Sequence, residues 1–191
     1  MDFFKRIAAA FGAGATRDNM AGSYPPAALD ELSNFRPYPP KVFLKGQGVF
    51  AYRLEFGALE ADAAGVVGAL ASEFGWPNPA LLQEGHARRG DKSVHFSIRS
   101  EFGGVVVVIV TNCAALINKI DALNIVPPPP WLAFPDADPS SLGSLQGAME
   151  YWWDWLFSPF WSELDARGRV AYLSRFAAHD DWLEFLSSRA L

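Results

Sequence analysis

Cysteine, histidine and charge are all scarce in this chain. A single cysteine, Cys113, occurs among 191 residues, so no disulfide can form within the chain. It follows an apolar run, as a buried thiol would, and such usage points to a cytosolic compartment. The three histidines, His86, His95 and His179, lie far apart and lack HxxxH or CxxC surroundings, so no metal and no other cofactor is expected. No serine has the flanks of a GxSxG nucleophile turn. The glycines Gly46, Gly48, Gly103 and Gly104 lack the rest of a GxxxxGK[ST] or GxGxxG phosphate cradle and read as hairpin turns.

Charged residues make up 19% of the chain, with a net charge of −5. The 16 basic residues are scattered, with no run longer than Arg88-Arg89. Nucleic-acid binding needs a concentrated basic face to neutralise phosphates, so that class of partner is not expected. A long hydrophobic run is also missing: no window reaches the ~20 apolar residues of a transmembrane helix. Lys5 and Arg6 before the Ile7–Ala15 stretch faintly resemble a signal peptide, but Asp2 lies in what would be its positive region. Phe3, Phe4, Ile7 and Phe11 instead recur at helical spacing, which predicts a short amphipathic helix docked on the domain, with a membrane surface as its alternative target.

Hydrophobic residues reach 50%, enough for one independently folding domain. Residues 1–40 read as the N-terminal helix and a Pro/Gly-rich arm, and residues 41–191 as a single α+β domain. Val42–Leu44 and Val49–Phe56 flank a glycine-bearing turn and predict one hairpin. Ser93–Ser100 alternates apolar and polar residues, and Val105–Val110 is wholly β-branched, which predicts a second hairpin closed at Gly103-Gly104. Ala58–Phe74 has one apolar stripe and stops at Gly75, as a helix with a glycine cap would. Asn112–Leu123 forms another, and Pro79–Gln83 a short turn of helix. Pro127–Pro130 makes a stiff connector. Helices are expected over Leu142–Phe157, from a restart at Ser158-Pro159, and over Val170–Phe176 and Asp181–Leu186. The fold class is therefore α+β: a small antiparallel sheet of about four strands packed against helices, with an all-helical C-terminal third.

The densest feature is Tyr151–Trp161, where seven of eleven residues are aromatic. Each ring can bury roughly 150–250 Å², and more than one helix face carries them. Two readings compete. In one, the rings fill the crevice between sheet and helices; in the other, some remain outside as anchors for a partner. Glu150 and Asp154, four residues apart, give that segment an acidic edge suited to a basic partner. The candidate partner-binding residues are Glu150, Trp152, Asp154, Trp155, Trp161, Asp180 and Asp181, with no catalytic residue assigned.

The expected function is a non-enzymatic cytosolic binding protein that neutralises or regulates another protein with a basic surface, most concretely an immunity protein occluding a bacterial toxin. The alternatives are a small enzyme in which His95, Arg99 or Cys113 converge only in three dimensions, and a peripheral membrane or assembly adaptor anchored by the N-terminal helix.

Overall fold

The computed structural model describes residue 11 and residues 17–30, 32, 35–76, 83–142 and 144–189. The N-terminal helix expected from Phe3 to Phe11 lies outside them except for Phe11, as does nearly all of the helical turn expected over Pro79–Gln83. The fold is α+β, and its sheet has five antiparallel strands rather than four: β1 (Lys41–Phe43), β2 (Tyr52–Ala58), β3 (Glu84–Arg89), β4 (Lys92–Glu101) and β5 (Gly104–Thr111), in the order β1-β2-β5-β4-β3. The unanticipated strand is β3, Glu-Gly-His-Ala-Arg-Arg, which lacks both β-branched residues and apolar alternation. Among the described residues it pairs with β4 alone, through the turn at Gly90, whose positive φ of 63° suits glycine.

Both hairpins take shape where alternation predicts them. The second turns on Phe102 and Gly103, both at positive φ, so Gly104 opens β5 instead of forming the turn. A side chain on Gly104 would come within 2.3 Å of the Ala58 carbonyl, which requires glycine between the two strands.

The register sorts the side chains by face. Leu54, Phe56, Ile109, Val107, Phe96 and Ile98 share one face. It packs on α2 (Glu60–Phe74) and α3 (Ala114–Ala122), with Trp76 edge-on to Phe96 at 5.1 Å just past α2. Arg53, Glu55, Gly57, Val106, Val108 and Val110 occupy the other face. Because helices and loops cover both sides, the valine run of β5 is buried throughout. On the second face, α1 (Arg17–Ser23) and the following Tyr24 close one end, with Met20 and Tyr24 fully buried beside Val110.

Downstream come α4 (Pro130–Ala133), the helical run α5 over 148–161, α6 (Ala166–Arg175) and α7 (Asp180–Ser188). The α5 run differs from expectation in two ways. It begins at Ala148, not Leu142, and it continues through Ser158 without a break, Ser158 itself being helical at φ −58°. The continuity is achieved by a π-helical stretch, Trp152–Phe157, in which the Ser158 N–H donates to the Trp153 carbonyl five residues back. Pro159 has no N–H to donate, and the widened turn accommodates it inside the run.

Candidate binding surface

An α-helical residue advances about 100° around its axis, whereas a five-residue hydrogen-bonded turn advances less per residue. The π stretch therefore brings residues five apart onto one side. Trp152 stacks on Phe157 at 4.7 Å, and Phe157 stacks on Trp161 at 5.7 Å. These rings, with Phe160, Tyr172, Trp182 and Phe185, form the interior between the sheet and the last helices. Tyr151 and Trp153 are half-buried. Trp155 alone of the seven is exposed, at 44%.

The partition corrects the expectation for two candidate residues. Trp152 and Trp161 are buried in the core of the single chain and present no surface to a partner. Glu150, Asp154 and Trp155 are exposed on α5. Asp180 and Asp181 are exposed as well, but in the first turn of α7, where negative charge complements the positive end of the helix dipole. Asp181 lines a shallow groove with Ser140, Glu184 and Arg189.

Trp155 rests on a polar support that the sequence did not reveal. Arg53 and Glu55 are two apart on β2, so they share a sheet face, and their buried side chains form an ion pair. The Tyr151 hydroxyl donates to Glu55 Oε1 at 2.8 Å, and the Arg53 guanidinium lies 5.9 Å from the Trp155 ring. Tyr151 and Trp155, one turn apart on α5, thus meet the two members of one ion pair, which orients the indole. Val42 pairs with Arg53 and is 48% exposed on the same face, extending the apolar surface to the sheet edge. The available clue was the placement of Arg53 and Glu55 within an otherwise apolar strand.

The residues of the enzyme alternative are each engaged. His95 and His86 pair across β4 and β3 with their rings stacked at 4.0 Å. The Tyr24 hydroxyl lies 2.7 Å from His95 Nδ1 and also donates to the Val110 carbonyl at 2.7 Å, an arrangement that leaves Nδ1–H as the donor to the tyrosine oxygen. His95 is thus half-buried. Arg99 is ion-paired with Glu101 at 2.9 Å, and burial pushes the Cys113 thiol up, away from the thiolate. Among the described residues no group of three His, Cys, Asp or Glu side chains is placed to hold a metal ion, and no helix is long and apolar enough to cross a membrane.

Burial first, and then the charge of His86, lowers the His95 pKa from 6.5 to about 4. The unfolded chain consequently binds a proton that the fold refuses across that interval. The stabilising contribution of neutral His95 is complete above pH 6.5 and is lost as pH falls toward 4. Urea midpoints should fall over that window in the wild type and fall less in His95→Gln; parallel pH profiles for the two proteins would contradict the assignment.

The chain matches no family model, no curated protein and no solved structure.

Proposed function

We propose that this chain is a non-enzymatic binding protein that docks a basic partner protein through Trp155 and the carboxylates of Glu150 and Asp154. Its most concrete form is a cytoplasmic immunity protein that occludes a bacterial toxin. The observation carrying this reading is the exposed Trp155, held over Arg53 on a helix whose Trp152, Phe157 and Trp161 rings are sunk in the core. A rigid indole loses little conformational entropy on binding, and tryptophan is among the residues that most often anchor interfaces. Glu150 and Asp154 would meet cations at the rim and accelerate encounter, so rising salt would slow association more than it speeds dissociation. Specific interfaces bury ~800 Å² on each partner, so Trp155 and Val42 would form the centre of a larger contact.

What supports binding over catalysis is that His95, Arg99 and Cys113 are already committed to contacts within the fold. The test begins with affinity purification from the native cell and identification of the co-eluting protein. Trp155→Ala should then weaken its binding by ~2 kcal/mol, roughly 30-fold in Kd. An unchanged Kd in a fully folded variant would eliminate the anchor.

A further inference from the structure

The outer edge of β3 faces no other strand among the described residues. Bare edges are commonly protected by like charges, but the charges of this edge are of both signs and spaced symmetrically. Glu84, His86 and Arg88 are exposed and share one sheet face, with His86 midway between the other two. The ladder also fixes which backbone groups point outward. The Ile98 N–H donates to the Gln83 carbonyl at 2.6 Å, so these facing residues form a hydrogen-bonded pair. Antiparallel alternation then turns the N–H and C=O of Glu84, His86 and Arg88 away from β4, toward open solvent.

We propose that β3 pairs antiparallel with β3 of a second copy of this chain, about a two-fold axis at His86, so that two sheets join into one. In that register Glu84 of each copy faces Arg88 of the other, and His86 faces His86. Each of the three facing pairs exchanges two backbone hydrogen bonds. Moving the axis by one residue in either direction loses a pair; in one direction it also sets His86 against Arg88. The central contact brings no like charges together at neutral pH, because burial first and then Arg88 hold the His86 pKa below its ordinary value. Arg88 is steadied for the pairing by its own Nε, which donates to the Gly90 carbonyl at 3.0 Å.

The geometry also determines what dimerisation leaves free. β3 and β1 are opposite edges of the sheet, and Val42, on β1, borders the Trp155 surface. Each copy therefore keeps that surface outward, and the dimer presents two of them, as a bivalent binder requires. The dimer stands or falls independently of what docks at Trp155.

Light scattering and sedimentation of the full chain test the proposal. The wild type should be dimeric. Glu84→Arg and Arg88→Glu should each be monomeric, because each sets like charges opposite one another at both ends of the contact. An equimolar mixture of the two variants should recover a dimer, since each carries the charges the other lacks, and the double variant should dimerise with itself. His86→Pro removes an outward N–H without touching the β4 ladder and should give a folded monomer with unchanged circular dichroism. A wild type that stays monomeric at its highest soluble concentration would overturn the proposal. So would a dimer that persists unchanged in both single charge variants.

Discussion

Trp152→Ala is expected to remove ~3–5 kcal/mol of stability, a large part of the 5–15 kcal/mol typical of a folded domain. The ring is 2% exposed. It stacks on Phe157 and meets Phe134 edge-on at 5.5 Å, so its loss opens a cavity in the middle of the C-terminal layer. Removing it also deprives Phe157 of the neighbour that the π turn brings onto its side, which couples the two positions. Trp152→Phe should be far milder. It keeps most of the apolar area and deletes an indole N–H that is buried with no hydrogen-bond partner among the described residues, a group whose burial costs desolvation. Trp155→Ala, three residues on, should cost only about 1 kcal/mol or less, the scale of a half-exposed cation–π contact. Urea denaturation of the three variants checks the ranking. Equal losses at Trp152 and Trp155 would mean that the division of this segment into core and surface is wrong.

That division marks the limit of what the amino-acid order discloses. Composition signals the aromatic density of 151–161 plainly, but which ring faces outward depends on the angular step of the helix. Pro159 and the π stretch that accommodates it change that step, so the regular helical wheel misplaces Trp152. The strands show the same contrast. Val94-Phe96-Ile98 and Val105–Val110 are legible because burial on one or both faces imposes its own period on the side chains. β3 lies at an edge with few buried side chains, so nothing in its sequence records that it is a strand. The support beneath Trp155 was hidden for a third reason. Arg53, Glu55 and Tyr151 are brought together by tertiary packing across a sequence separation of 96 residues, which no local spacing reports. By contrast, Glu150 and Asp154 could be placed on one exposed edge from their separation alone.

Asp121→Ala should be the most damaging polar substitution, costing ~3–5 kcal/mol, because it leaves a buried cation without its counter-ion. Asp121 projects from α3 and forms an ion pair with Lys41, whose side chain is 1% exposed. The same carboxylate accepts from the Arg36 backbone N–H at 3.1 Å, while Lys41 Nζ also donates to the Arg36 carbonyl at 2.8 Å. One carboxylate thus fastens both ends of the 36–41 segment to the helix and fixes where β1 enters the sheet. Burial lowers the Lys41 pKa, and Asp121 opposes that effect. In Asp121→Ala the opposition is gone and the pKa falls further below the unfolded value, so the unfolded chain binds the extra proton. The deficit should therefore shrink as pH rises toward 10.5, the ordinary lysine value, where the amine can be buried uncharged. Lys41→Met combined with Asp121→Leu should recover much of the loss by replacing the pair with apolar volume, short of the hydrogen bond to Arg36. A double-mutant cycle measured by urea denaturation reads the coupling directly. Additive losses, with no recovery in the double variant and no improvement at alkaline pH, would show that the damage comes from lost packing around α3 and not from the stranded ammonium.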